Sequence, residues 1–278
     1  MSVINTNVSA MYSQNAMKTN ARAMSTAMEQ LSTGTRVNSA KDDAAGLAIG
    51  QNMTSQIRGL NMAVRNLNDG INMMQTAEGA MIEQSNMLQR MRELAVQSMN
   101  GTYSSTQRGY LNLEFQALSS QVDDVSVNTM WNDQVLLNAD TTNTSGVFTF
   151  QAGQSSGVTI SVTIGDMGTS STGLNISGEN IETYDDAASA LTAISSALEI
   201  INEQRASIGA GINRMEYAAD NLTNVSSNAT QSRSTIMDTD YALATTQLAK
   251  TQIIQQAATA MLAQANQQPQ QVMQLLKG

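Results

Sequence analysis

From Ala187 to Ile236 one set of positions advances by alternating steps of four and three: Ala187, Leu191, Ile194, Leu198, Ile201, Arg205, Ile208, Ile212, Met215, Ala219, Leu222, Ser226, Ala229, Arg233 and Ile236. Only Arg205, Ser226 and Arg233 interrupt its apolar character, and no proline falls inside it. A seven-residue repeat held this long predicts one helix packed lengthwise on others in a left-handed bundle. At about 1.5 Å per residue the stretch is a rod of roughly 75 Å, far longer than an ordinary globular helix.

The same steps recur elsewhere. Met17, Ala21, Met24, Met28 and Leu31 mark a first helix within residues 1–34, which Gly34 should stop. Ser39 is a candidate cap for a second helix, with Asp42 and Asp43 near its positive end. That helix runs through Ile57, Leu60, Val64, Leu67, Ile71 and Met74, continues at sevens through Met81, Leu88 and Ala95, and ends near Asn100-Gly101. Glu78, Ser85 and Arg92 lie between, so this later half of the seam is partly polar. Leu111, Phe115, Leu118, Val122 and Val125 give a third helix, and Tyr241–Leu276 a last one with Ile254, Ala258, Met261, Leu262 and Ala265 on one face.

Between Asn138 and Asn180 the texture changes to Gly, Ser, Thr and Asn, and the period falls to two. Residues 147–151 and 158–164 read as strands joined through Ala152–Gly157. So short a segment makes a β-hairpin flap on the bundle rather than a domain. The expected fold is mainly α: a long-helix coiled-coil bundle with a small β-hairpin region and paired N- and C-terminal helices. Residues 1–44 with 236–278 form the terminal helical domain, and 45–235 the bundle, with the flap at about 139–182.

Composition narrows the function. Charged residues make up 13% of the chain and the net charge is −9, which argues against nucleic acid and against a basic membrane-surface patch. Cysteine and histidine are absent. That removes Ser-His-Asp triads, cysteine nucleophiles and ordinary zinc, haem or iron–sulfur sites, so no enzyme activity, metal or cofactor is expected. Aromatics are only 4% while Met numbers 19, a composition suited to thin helix–helix seams. No run approaches a membrane span, and Met1–Met17 has neither the charge nor the apolar run of a cleaved secretory signal. Lys250 is the one charge between Asp240 and Lys277; such a weakly charged helix suits burial among copies of the chain.

Three acidic pairs (Asp42-Asp43, Asp123-Asp124 and Asp185-Asp186) read as capping or solvated groups rather than acid–base or Ca²⁺ sites. Gly209-Ala210-Gly211 lacks the Lys-Ser/Thr of a phosphate loop and lies inside the heptad track. Arg205, Arg233, Glu78 and Arg92 read as polar pairs that set register. Asn143-Thr144-Ser145 is a chance sequon, and Ser155, Ser156, Ser170 and Ser171 are candidate O-glycosylation positions.

Several motifs carry a resemblance. Residues 38–49, NSAKDDAAGLAI, resemble the N-terminal signature of bacterial flagellins. Val3-Ile4-Asn5-Thr6-Asn7 resembles the start of that family, and Leu31-Ser32-Thr33-Gly34 its LSSG step. Gln89–Val96, QRMRELAV, is similar to its QRVRELAV. Ile253–Ala257, Met261–Gln267 and Leu275-Leu276 resemble its C-terminal helix. The likeness covers about residues 1–137 and 185–278. It implies an extracellular, self-assembling helical homopolymer, the flagellar filament. It also implies export through the flagellar type III apparatus and partners in an export chaperone, a filament cap and hook-junction proteins. The middle of the chain lacks the large outer domains of many members. The resemblance further implies an innate-immune face for Toll-like receptor 5 at Gln89, Arg90, Leu94 and Glu114. Self-assembly is expected from Leu248, Ile254, Met261 and Leu262 facing Met17, Met24, Met28 and Leu31. The rival readings are a glycan- or host-binding surface protein using Phe148 and Phe150, and a hook–filament junction protein.

Overall fold

The computed structural model describes residues 6–138, 146–170 and 172–277, with side chains described through Gln267. The Val3-Ile4-Asn5 start, the Asn143 sequon, Ser171 and the side chains of Leu275-Leu276 lie outside the described residues. The elements run α1 (Val8–Thr33), α2 (Ala44–Ser98), α3 (Ser105–Asn128), β1 (Met130–Trp131), β2 (Gln134–Val135), β3 (Val147–Gln151), β4 (Thr159–Thr163), α4 (Tyr184–Met237) and α5 (Tyr241–Lys277). They form two compact units, one of Met1–Ile57 with Ser227–Gly278, the other of Arg58–Ser226.

Local chemistry explains the helix ends. Asn7 Oδ1 accepts the Ala10 N–H at 3.0 Å and opens α1, and Gly34, at φ 73°, closes it. The cap of α2 is Asp43, whose Oδ1 accepts the Gly46 N–H at 2.8 Å. Ser39, expected to cap that helix, instead donates its N–H and hydroxyl to Asp42 Oδ2. A carboxylate one residue before the helix outcompetes a hydroxyl four residues further back. Ser104 and Gln107 form a reciprocal capping box on α3, and Thr183 Oγ1 accepts the Asp186 N–H at the start of α4.

In the larger unit α4 buries Ala187, Ile194, Ile201, Ile208 and Met215, one residue per heptad. The alternate members Leu191, Leu198 and Ile212 are half-buried, and Ala190, Ala197 and Gly211 widen the stripe. Contacts from Asn61 to Ser226 and from Glu78 to Arg205 show α2 and α4 running antiparallel. On α2 the buried track is Met74, Ala77, Met81, Gln84, Leu88, Met91, Ala95 and Ser98. The spacing had put Glu78, Ser85 and Arg92 on this seam. The order of the three- and four-residue steps is reversed, so Ala77, Gln84 and Met91 lie there, Ser85 is buried beside them, and Arg92 is exposed. Glu78 does reach Arg205, at 3.8 Å, as a pair about one-third exposed on each side.

The two-residue strands β1 and β2 form a hairpin not foreseen from the spacing, turned by Asn132 and Asp133 at φ 48° and 63°. Both central residues at positive φ mark a turn with right-handed strand twist, a position Asn and Asp tolerate. Strands β3 and β4 pair antiparallel with Phe148 opposite Val162 and Phe150 opposite Ile160. That face sits on glycines. A Cβ on Gly70 would lie 2.8 Å from Phe150 Cδ1, one on Gly211 2.8 Å from Val162 Cγ2, and one on Gly59 3.0 Å from Gln154 Cβ. The connection after β4 buries Ile164, Met167, Leu174, Ile176 and Ile181 against the same core.

The two glycines of the Gly209-Ala210-Gly211 stretch therefore differ. A Cβ at Gly209 meets nothing within 4 Å. Gly209→Ala should stabilise the chain by up to about 1 kcal/mol through helix propensity. Gly211→Val should destabilise it by about 1–3 kcal/mol through overpacking against Val162. Urea unfolding of both variants checks this, and equal stability would contradict the seating of the hairpin.

Candidate self-assembly and recognition surfaces

In the smaller unit α1 and α5 run antiparallel, with Cα atoms within 8 Å of each other. Asn7 Nδ2 donates to the Ala265 carbonyl at 2.8 Å. Asn20 Nδ2 donates to the Thr251 carbonyl at 2.7 Å and to Gln255 Oε1 at 3.2 Å. At the far end Thr35 bridges Asp238, the Thr239 N–H donates to the Gly34 carbonyl, and Arg36 Nη2 donates to the Ile236 carbonyl at 2.7 Å. These pairs advance in opposite directions along the two helices, so a single register holds the pair from end to end.

The buried seam is made of small and polar residues: Asn20, Ala27, Ala244, Thr251 and Ala265. Small side chains let two helix backbones come close, which leaves the larger apolar ones at the edge or outside. Of the residues expected to face one another, Met17, Met24, Leu31, Leu248 and Leu262 are half-buried. Met28 (54% exposed), Ile254 and Met261 (63%) are on the outside, joined by Met11, Tyr12, Leu243 (71%) and Ile253. In α1 only Lys18, Arg22 and Glu29 are charged. The pair thus presents bulky apolar side chains on a surface nearly free of charge, the pattern of a face that another molecule covers.

The second surface lies on α2 and α3. Arg90 Nη2 pairs with Glu114 Oε1 at 2.9 Å across the two helices, and Arg90 Nη1 with Glu93 Oε2 at 2.9 Å along α2. Both carboxylates raise the Arg90 pKa above its ordinary value, the hydrogen bond to Glu93 first. Gln89 is exposed on the turn before it, and Val96, Tyr110 and Leu113 expose apolar surface nearby. Leu94 is 1% exposed and belongs to the core beneath this face. Its place on the inward track of α2 was hidden by the motif in which it stands.

The acidic pairs have structural partners. Hydrogen bonds from the Ser39 hydroxyl and N–H hold the Asp42 pKa below the ordinary aspartate value, with Lys41 adding to the effect. A depressed folded-state pKa means a contribution complete above the ordinary value and lost as pH falls through the depressed one. Asp123 Oδ1 accepts from the Thr169 N–H and hydroxyl, tying α3 to the loop after β4. Among the described residues no three or more His, Cys, Asp or Glu are grouped to hold a metal ion, and no helix is long and apolar enough to cross a membrane.

Asn20→Ala removes the buried amide that ties α1 to α5, leaving the Asn7–Ala265 contact at the start of α1 in place. It should weaken that pairing by about 1–3 kcal/mol, while Gln14→Ala on the exposed face should be neutral. Amide hydrogen exchange along α5 in the full chain measures both. Equal protection in the two variants would show that Asn20 does not hold the pair.

Comparison with known proteins identifies the family of the chain. Residues 4–142 match the model of the bacterial flagellin N-terminal helical region, and residues 191–276 that of the C-terminal helical region. The flagellin of Halalkalibacterium halodurans is 44% identical over 275 residues, covering 99% of this chain and 100% of that one. The flagellin of Bacillus subtilis is 39% identical, covering 99% of each. The crystal structure of Bacillus cereus flagellin superposes with a TM-score of 0.50 at 27% identity, over 57% of this chain and 88% of that one. With both terminal regions matched, and with relatives similar along nearly its whole length, the chain belongs to the bacterial flagellins, the structural subunits of the flagellar filament.

Proposed function

We propose that the outward faces of α1 and α5 are the surfaces through which this subunit joins its neighbours, and that residues 1–44 with 236–278 line the filament core while 45–235 forms the shell around it. One observation carries this reading: Met11, Met28, Leu243, Ile253 and Met261 are exposed on helices almost without charge. Burying a side chain of this size contributes about 1.5–3 kcal/mol, so a few per subunit, repeated through a lattice, drive assembly. A seam of Ala, Asn and Thr is a modest partner for an isolated helix. The terminal helices accordingly gain much of their order from neighbouring copies. The subunit leaves the cell through the flagellar type III apparatus with an export chaperone and adds beneath a filament cap, beyond the hook-junction proteins.

Seeded, concentrated chain should form long filaments in electron micrographs. Deletion of 241–278 should abolish them. Met261→Glu should lower the yield of sedimenting polymer several-fold with the unfolding of the larger unit unchanged. Wild-type polymer yield from Met261→Glu would exclude this face.

A second surface role is supported by the Arg90–Glu93–Glu114 cluster with Gln89 beside it, the stretch similar to the family's Toll-like receptor 5 contact. Arg90 and Gln89 present the polar contacts, Glu114 orients the guanidinium, and Leu94 acts from below by holding α2 in place. Gln89→Ala with Arg90→Ala should reduce signalling in a receptor reporter cell while leaving filament formation intact, and undiminished signalling would refute it. The glycan-binding reading loses its aromatic platform, because Phe148 is buried and Phe150 half-buried against the core.

A further inference from the structure

The turn from α2 to α3 holds the only Asn-Gly sequence in the chain, Asn100-Gly101. Asn100 is exposed, and a Cβ on Gly101 would meet nothing within 4 Å, so the turn leaves open space beside Gly101. The Asn100 side chain is folded back over the turn: its Oδ1 accepts the Thr102 N–H at 3.2 Å. That contact keeps the side-chain amide against the backbone of the turn rather than extended into solvent. It also places a donor on the oxygen that gains charge when Cγ is attacked. Among the described residues the Gly101 N–H donates to no acceptor.

We infer that Asn100 is a site of spontaneous deamidation. The Gly101 nitrogen, losing its proton to hydroxide or a buffer base, attacks Asn100 Cγ. The N–Cγ bond forms, the Cγ–Nδ2 bond breaks, and the side-chain nitrogen leaves as ammonia. Water then opens the succinimide at one carbonyl or the other, giving aspartate or isoaspartate, with no oxidant or reductant involved. Glycine matters because it puts no Cβ in the path of ring closure and lets the backbone turn freely. Asn180 Oδ1 likewise accepts the N–H two residues on, from Glu182 at 3.4 Å, but the residue between is Ile181 rather than glycine, and its N–H is taken by Asn112 Oδ1. Asn112 lies within α3, its Oδ1 accepting the Ile181 N–H and its Nδ2 donating to Glu182. Asn38, followed by Ser39, is held at both ends of its amide by Thr35.

The product alters a corner that several contacts share. The Asn100 carbonyl accepts from the Tyr103 N–H at 3.3 Å and from Arg108 Nη2 at 3.4 Å. Isoaspartate adds a main-chain carbon at this residue and shifts that carbonyl; either product adds a negative charge. A subunit therefore carries a chemical record of its age at the α2–α3 corner.

The test uses the purified full chain held at mildly alkaline pH. The tryptic peptide Glu93–Arg108, in which Asn100 is the one asparagine, is followed by mass spectrometry and by methyl transfer from an isoaspartyl methyltransferase. Asn100 should convert before Asn112 and Asn38, with isoaspartate among the products and a rate rising with pH. Gly101→Ala should slow conversion roughly ten-fold, the factor that about 1.4 kcal/mol of added barrier gives. Conversion of Asn100 no faster than Asn112, or an unchanged rate in Gly101→Ala, would overturn the assignment.

Discussion

The larger unit depends on burying one stripe of α4 against α2. A helix of 54 residues, as α4 is, gains little from propensity alone, and its charged and amide groups are content in water. What fixes it is the row Ala187, Ile194, Ile201, Ile208 and Met215, each fully enclosed. Every other layer is placed by that row. Helix α3 adds Phe115 and Val122 to the same core. The β3–β4 hairpin lowers Phe148, Ile160 and Val162 onto it, and the segment from Ile164 to Ile181 closes it. Glycines on α2 and α4 let the hairpin backbone settle where a methyl group would hold it off.

The two units solve helix pairing in opposite ways. In the larger, Met74, Met81, Leu88 and Met91 fill the space beside α4 and α3, and the polar surface is left to solvent. In the smaller, Ala27, Ala244 and Ala265 let α1 and α5 close tightly, which leaves Met28, Leu243 and Met261 exposed. The first arrangement completes its own core. The second leaves these side chains on its surface, where the contacts proposed with further copies would cover them.

The long helices were legible because a seven-residue repeat cannot be held over seven heptads by chance, and the stop at Gly34 because a left-handed residue there favours glycine. The strands of the hairpin were legible from their alternation. Less could be read where the signal is not periodic. The loop from 164 to 181 looked like a polar flap, since Gly, Ser and Thr outnumber its five buried apolar side chains, whose spacing follows no period. On α2 the residues at sevens were right, but the position between them was ambiguous, because three-then-four and four-then-three fit the same anchors. The structure puts Met91 inside and Arg92 outside, and moves Leu94 from an expected contact surface into the core. A motif names residues that occur together; it does not say which of them face outward. The same limit applied to the terminal helices, where the large apolar residues were expected to pair with each other and the alanines between them form the seam.

A seam built from alanine raises the question of what sets its register, because one small side chain fits its neighbours much as the next does. Slippage by one turn would cost little in apolar contact. It would, however, strip Asn20 of the Thr251 carbonyl and Asn7 of the Ala265 carbonyl, and it would open the backbone bridge at Thr35 and Asp238. A buried amide left without partners costs more than the hydrogen bond contributes when made. Gln84 does the same in the larger unit, donating to the carbonyls of Val122 and Met167 at 0% exposure, so that α3 and the loop after β4 have one allowed position on α2. In both units apolar burial supplies the drive to pair, and a few buried amides decide where the pairs stop. A polymer needs that division. Subunits added to a lattice repeat any error in register along its whole length, so specificity of alignment matters more here than additional stability.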